Sequence, residues 1–194
     1  MRENSEGEYA GVGGRVHQGH AIEVATDMSM MTRVGVERVI RYAFELARSR
    51  PRRQLTVVTK SNAQRHGMVM WDEIAVQISK EFPDVKWDKE LVDAMTARMV
   101  NKPRTIDTVV ATNLHGDIIS DLASGLIGGL GFASSANYGD GVAIFEAVHG
   151  SAPKYAGKNV INPTALVLSS AMMLRHIGEL DLADQVEDAV LTTL

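Results

Sequence analysis

Apolar residues along this chain recur at two periods, and the alternation between the periods sets the expected order of elements. Val36, Val39, Ile40, Ala43, Phe44 and Ala47 fall three and four residues apart, the spacing of one helix face. Thr32 is placed to cap that helix, and Pro51 ends the run. Gln54–Thr59 is rich in β-branched residues and reads as a buried strand. Met70, Ile74, Ile78 and Phe82 give a second amphipathic helix over residues 66–82. After the turn at Pro83-Asp84 comes a short strand, Val85–Trp87. A third helix is expected to start at Asp88 or Lys89, run through Leu91, Met95 and Met99, and end before Pro103. Ile106–Thr112 is a further strand and feeds a helix over 117–126, while Val142–Val148 is another strand. Asn162-Pro163 opens a helix running from Leu166 to Ile177, with proline in its first turn, and Leu180–Leu194 is a last amphipathic helix. Strands alternating with helices predict a layered α/β fold with a largely parallel sheet.

Three stretches break this alternation. Tyr9–Arg15 contains Gly11, Gly13 and Gly14, which disfavour a helix, and Ile22–Met28 alternates like a strand. The two predict a ribbon joined at His17–His20. An isolated two-stranded ribbon is marginal in water, so this one points to a covering surface and hence to an oligomer. Gly125–Asn137 is rich in glycine and small residues and reads as a loop or hinge. His149–Asn162 is a long polar loop.

Composition narrows the function class. The 194 residues suffice for one large domain or two small ones. A net charge of -4 with no extended Lys/Arg block excludes the electrostatic footprint of a nucleic-acid binder. The densest basic patch, Arg48–Arg53, lies at a helix end, where cations complement the dipole. The absence of cysteine excludes disulfides, thiol catalysis and Cys-ligated zinc. No apolar window is long enough for a membrane span, and Met1–Glu6 is too polar for a secretory signal, so a cytoplasmic protein is expected.

Candidate chemistry gathers where strands hand over to loops, the usual ligand-binding edge of an α/β sheet. Asn113-Leu-His-Gly-Asp117-Ile-Ile-Ser-Asp121 follows a strand and opens a helix, putting two carboxylates on one helix face. Carboxylate oxygens suit Mg²⁺ or Mn²⁺; the same pair also serves a helix start that merely complements its dipole. Lys60, after the Gln54–Thr59 strand, is a general acid/base if burial lowers its pKa, and otherwise a solvated lysine. Lys154, Tyr155 and Lys158 form a corner suited to a phosphate, or an exposed polar loop. There is no G-x-G-x-x-G fingerprint and no P-loop, and Gly128-Gly129-Leu-Gly131 follows a helix rather than a strand. His66, His115 and His176 lack metal-ligand spacing and read as surface or hydrogen-bonded residues.

Taken together, Arg2-Glu-Asn-Ser-Glu-Gly-Glu-Tyr9, Lys60-Ser-Asn62, Asn113–Asp121, Phe145-Glu-Ala-Val-His-Gly-Ser-Ala-Pro-Lys-Tyr-Ala-Gly157 and Asn162-Pro163, in that order, resemble the β-decarboxylating dehydrogenases. That family comprises isocitrate, isopropylmalate, homoisocitrate and tartrate/D-malate dehydrogenases, and the resemblance spans essentially the whole chain. It implies an isocitrate/isopropylmalate dehydrogenase-like α/β fold with a dimer-forming ribbon over 9–28. It implies a small, dimerising domain over 1–127 and part of a large cofactor-binding domain over 128–194. The fold is expected to be incomplete, with family segments lacking before Arg2 and after Leu194, and turnover by this polypeptide alone is expected to be low or nil.

The chemistry implied is oxidation of a (2R)-hydroxy di- or tricarboxylic acid by NAD(P), followed by loss of the β-carboxylate, with Mg²⁺ or Mn²⁺ bound. The resemblance assigns Asp117 and Asp121 to the metal on one chain and Asp93 to the metal of a partner chain, in a homodimer with shared sites. Tyr9 and Lys60 become the acid/base pair, with Lys60 reaching in from the other subunit. Arg2 becomes part of the substrate-carboxylate clamp, and Asn62 lies near substrate. Glu146, His149, Gly150, Ser151 and Ala152 would line the cofactor, with Asn162 near the adenine. Lys154-Tyr155 stands where an aspartate would select NAD, and so resembles the NADP-using members. The first half of the chain is most similar to tartrate/D-malate dehydrogenases and the second half to isocitrate dehydrogenases; a truncated, non-catalytic dimerising relative is the rival reading.

Overall fold

A computed structural model describes residues 1–194 and divides into two compact units, Met1–Ser120 and Asp121–Leu194. The first unit opens with a ribbon of β1 (Gly7–Val16) and β2 (Val24–Met30), antiparallel and in register from Val12 opposite Met28 to Val16 opposite Val24. Pairing is irregular between Gly7 and Val12. At Gly13 a Cβ would lie 2.1 Å from the Thr26 carbonyl oxygen, so only glycine permits this strand spacing. The ribbon packs little of its own surface: Val16, Val24 and Met28 are all more than half exposed.

Helix α1 (Arg33–Ser49) starts where its cap residue predicts. Thr32 Oγ1 accepts from Gly35 N at 3.1 Å, and the Glu6 carboxylate accepts from Thr32 N (2.8 Å) and Thr32 Oγ1 (2.9 Å). Its end is tied down by ion pairs from Arg48 and Arg53 to Asp84 and from Arg50 to Asp107, the structural role expected of that basic patch. Next come β3 (Gln54–Thr59), α2 (Gly67–Ser79), β4 (Lys86–Leu91), α3 (Val92–Asn101), β5 (Thr108–Val110) and α4 (Asn113–Leu126). Strand β3 is central in a three-stranded parallel sheet of order β4-β3-β5.

Alternate residues of β3 face opposite ways, and each face meets its own apolar cluster. Leu55 and Val57 pack with Val36, Ile40 and Phe44 of α1 and with Trp71, Ile74 and Ile78 of α2. Phe44 stacks on Phe82 at 5.3 Å and meets the edge of Trp87 at 6.1 Å. Val58 packs on the other side with Met95, Ala111 and Ile119. Each such buried side chain contributes roughly 1.5–3 kcal/mol.

Three boundaries differ from the sequence expectation. The third helix begins at Val92, because Asp88–Leu91 pair with Thr56–Thr59 in the parallel ladder and continue the strand. The strand expected over Ile106–Thr112 is only Thr108–Val110. Helix α4 begins at Asn113, a turn earlier than the 117–126 helical segment.

The second unit holds β6 (Ser134–Gly139), β7 (Val142–Ala147), α5 (Thr164–His176) and α6 (Leu180–Thr193). Strands β6 and β7 form an antiparallel hairpin. The sheet content is thus one three-stranded parallel sheet and two antiparallel pairs, rather than a single largely parallel sheet. Residues from Ser134 belong to a strand, not to the expected loop over Gly125–Asn137. Gly139 pairs with Val142 around Asp140-Gly141, with Gly141 at φ 79°. Asp-Gly is a tight-hairpin dipeptide, and it fixes the register of both strands. Helix α5 lies against this hairpin through small residues: Ser169 is fully buried and donates to the Glu146 carbonyl at 2.8 Å. No helix is long and apolar enough to cross a membrane.

Candidate active site

The first cluster is built by the chain entering the sheet. Arg2 lies opposite Ala111 in a parallel bridge, with Glu3 N donating to Ala111 O at 3.1 Å and Ala111 N to Met1 O at 3.0 Å. This brings the Arg2 side chain across the first turn of α4. Its Nε and Nη2 both donate to Asn113 Oδ1, at 2.9 and 2.7 Å, and Nη1 donates to Asp117 Oδ1 at 2.5 Å. Gly116 makes room, since a Cβ there would meet Arg2 Cγ at 2.8 Å. Tyr9, at the start of the ribbon, donates its hydroxyl to Asp117 Oδ2 at 3.1 Å, and the Arg2 guanidinium sits 5.4 Å from the Tyr9 ring centre. The hydrogen bond to Asp117 holds the Tyr9 pKa above its ordinary value, with desolvation and the Asp117 charge acting the same way and Arg2 opposing. Arg2 and Tyr9, each more than a hundred residues from Asp117 in sequence, therefore meet it. Asp121 stands one turn beyond Asp117 on α4, with its side chain exposed.

The second cluster joins the end of β3 to the start of α3. Lys60 Nζ forms an ion pair with the Asp93 carboxylate. That bond, with the backbone amide of Asp93 adding to it, holds the Asp93 carboxyl below the usual aspartate range. Asn62 is exposed in the turn that follows Lys60. Beside these groups lies His115, and here the expectation of a surface or hydrogen-bonded histidine fails. His115 is only 7% exposed, and its Nδ1 is buried without a partner. Burial lowers its pKa and the Lys60 charge adds to that, while Glu8 opposes. The cause is the helix register: on α4 the residue two before Asp117 turns inward.

In the second unit, the residues matched to cofactor binding follow one another along β7 and the loop after it. The Glu146 carboxylate accepts from Asn137 Nδ2 at 3.0 Å, and His149 Nδ1 lies 2.9 Å from the Gly150 carbonyl. Ala152 takes a left-handed conformation (φ 44°) and turns the chain into Pro153–Tyr155. Lys154 and Lys158 both approach the Tyr155 ring, at 4.9 and 5.9 Å from its centre. Asn162 Oδ1 accepts from Thr164 N at 2.9 Å and so begins α5.

The donor chemistry suits a hard divalent cation, because Asp93, Asp117 and Asp121 all offer carboxylate oxygens. Within one chain the set is not complete: no three His, Cys, Asp or Glu side chains gather as a metal site. Asp117 is engaged by Arg2 and Tyr9, and Asp93 by Lys60.

The first unit is thus an α/β unit that gathers an arginine, a phenol and a carboxylate where β5 hands over to α4. The chain belongs to the isocitrate/isopropylmalate dehydrogenase family, whose description matches residues 1–194. It is 60% identical over 193 residues to a probable tartrate dehydrogenase/decarboxylase of Agrobacterium vitis, covering 98% of this chain and 54% of that protein. It is 48% identical over 184 residues to the decarboxylating D-malate dehydrogenase of Escherichia coli, covering 93% of this chain and 51% of that one. The crystal structure of isocitrate dehydrogenase from Methylococcus capsulatus superimposes with a TM-score of 0.92 at 48% identity, over 97% of this chain and 56% of that one. The chain thus spans about half the length of the curated relatives it matches.

Proposed function

We propose that this chain carries the acid/base and metal-ligand half of an enzyme that oxidatively decarboxylates a (2R)-hydroxy dicarboxylic acid, with tartrate or D-malate the favoured substrates and isocitrate the alternative. The observation that carries this reading is the convergence of Arg2 and Tyr9 on Asp117, with Lys60 and Asp93 forming a second, complementary pair. The identity to tartrate and D-malate dehydrogenases supports the four-carbon substrates.

In this reading the Arg2 guanidinium binds a substrate carboxylate. Lys60 accepts the hydroxyl proton as the carbon is oxidised, and the Tyr9 phenol returns a proton to carbon after CO₂ leaves. Tyr9 is suited to that role because a phenol carries its proton at neutral pH and the Tyr9 hydroxyl is directed to Asp117. Asp117 and Asp121 of one chain, with Asp93 of a second copy, would hold Mg²⁺ or Mn²⁺, which supplies stabilisation of the negative charge that develops on the substrate oxygen. The hydride acceptor is NADP. Lys154 and Lys158 around Tyr155 offer cations to a 2′-phosphate, and no carboxylate stands at Lys154 to repel it. Glu146, His149–Ala152 and Asn162 would line the remainder of that cofactor. The functional unit is a homodimer covering the exposed ribbon.

A second reading, carried by the exposed ribbon, is a non-catalytic dimerising relative that keeps the ribbon and the core but not turnover. Metal binding tests the integrity of the site, and turnover separates the readings. Calorimetric titration with Mn²⁺ is expected to show binding to wild type that Asp117→Asn abolishes; equal affinity for both removes the proposed metal role. Reduction of NADP by the chain with Mn²⁺ and tartrate, D-malate or isocitrate is expected to be low or absent under the second reading, and substrate-dependent and sensitive to Lys60→Met under the first.

A further inference from the structure

We infer that Asn113 is a positioning residue for the substrate clamp: its carboxamide holds two of the three nitrogens of Arg2 and leaves Nη1 as the exchangeable donor. The inference rests on the proposed role of Arg2 toward a substrate carboxylate.

Asn113 is 3% exposed and is the first residue of α4. Its orientation is fixed by its partners. A guanidinium carries only donors, so the carboxamide oxygen must face Arg2, where it takes Nε at 2.9 Å and Nη2 at 2.7 Å. A backbone carbonyl can only accept, so the amide nitrogen must face Glu6, to whose carbonyl it donates at 2.8 Å. One side chain therefore pins the guanidinium and the turn that leads to Tyr9. Two glycines shape the socket. A Cβ at Gly116 would strike Arg2 Cγ at 2.8 Å, and one at Gly7 would press on Asn113 Cβ at 3.3 Å. Gripped along its Nε–Nη2 edge, the guanidinium has one orientation, with Nη1 directed at Asp117 and its face toward Tyr9. A carboxylate arriving beside Asp117 finds Nη1 already aimed, and exchanging this single contact leaves the other two hydrogen bonds intact. A long arginine side chain otherwise loses much rotamer freedom on binding, and Asn113 removes that cost in advance.

The test uses the 194-residue chain labelled with ¹⁵N, in which the Arg2 Nε–Hε signal is assigned by its loss in Arg2→Met. Asn113→Ala is expected to speed exchange of that proton with water by about tenfold, the scale of one lost buried hydrogen bond to a charged group. Asn113→Asp keeps an acceptor and is expected to keep exchange slow. Should Asn113→Ala not fold, Gly116→Ala, which pushes the arginine stem off Asn113, is expected to give the same faster exchange. Calorimetry with tartrate in the presence of Mg²⁺ supplies the second arm. Asn113→Ala is expected to weaken tartrate about tenfold in wild type and to add nothing in Arg2→Met, because it acts only through the arginine. Unchanged Nε–Hε exchange in Asn113→Ala, or a full further loss of affinity in the Arg2→Met background, overturns the inference. Absence of tartrate binding by wild type, with the exchange still responding to Asn113→Ala, overturns the clamp reading while upholding the positioning role.

Discussion

At the scale of single residues, Asp117 organises the first cluster, because each of its carboxylate oxygens answers a different group. One oxygen takes Arg2 and the other takes Tyr9. The Arg2–Asp117 pair is partly exposed, at 32% and 43% of the side chains, so water screens it and its value lies in orientation more than stability. The phenol reports on the arrangement directly. Its neutral form is favoured by donation to Asp117, so in the metal-free chain Tyr9 should ionise above the ordinary tyrosine range. The sign for stability follows. A raised pKa stabilises the fold at pH values below the ordinary phenol range, and that contribution is lost as pH rises through the raised value. Asp117→Asn removes both the carboxylate acceptor and its charge and should bring the Tyr9 titration back toward the ordinary value. Alkaline titration of tyrosinate absorbance, with Tyr9→Phe as the reference, measures this; an unchanged midpoint in Asp117→Asn would mean that the contact does not persist in solution.

Elements explain which parts of the fold were legible in the sequence. Helix α1 was readable because its periodicity, the Thr32 cap and Pro51 all agree, and β3 because a run of β-branched residues has no helical competitor. The helical spacing of Leu91, Met95 and Met99 points back over Asp88–Leu91, but a neighbouring strand claims those residues. Pairing across a sheet is not written in local spacing. The Asp140-Gly141 turn was a local signal, yet the glycine-rich stretch ahead of it masked β6. In the site, the acid pair on α4 is visible from spacing, but the meeting of Asp117 with Arg2 and Tyr9 depends on Arg2 pairing with Ala111 just beyond β5, which no local pattern reveals. His115 differs from the expectation because a polar residue in a polar motif reads as exposed until the helix register is known.

Phe44 is fully buried between Phe82 and Trp87, so Phe44→Ala should destabilise the first unit by about 3–5 kcal/mol, measured by urea unfolding followed through tryptophan fluorescence. A cost below about 1 kcal/mol would show that α1 does not seal this core as described. In the ribbon, Gly13→Ala places a methyl against the Thr26 carbonyl and should force the strands apart. Sedimentation of that variant is expected to show monomer where wild type shows dimer, with helical circular dichroism retained; a dimer as tight as wild type would mean that the ribbon is not the association surface.

For the whole molecule, the deciding question is which chain supplies each carboxylate of the proposed metal site. Asp117 and Asp121 lie on α4, Asp93 lies on α3 paired with Lys60, and no three such groups converge. In the proposed dimer, two copies would associate through the exposed ribbon, each lending Lys60 and Asp93 to the other's Arg2, Tyr9 and Asp117. A two-fold dimer makes this exchange reciprocal, so every subunit both gives and receives. The consequence can be measured without turnover. Asp93→Asn alone and Asp117→Asn alone should each abolish tight Mn²⁺ binding, since every site in either homodimer has lost a ligand. When the two variants are unfolded together in equal amounts and refolded, half the dimers are mixed. Each mixed dimer contains one site with both mutations and one site with neither. Calorimetric or paramagnetic titration should therefore recover about a quarter of the wild-type Mn²⁺ sites, at wild-type affinity. If Asp93 served its own chain, every site in the mixture would still lack one ligand and no tight binding would return.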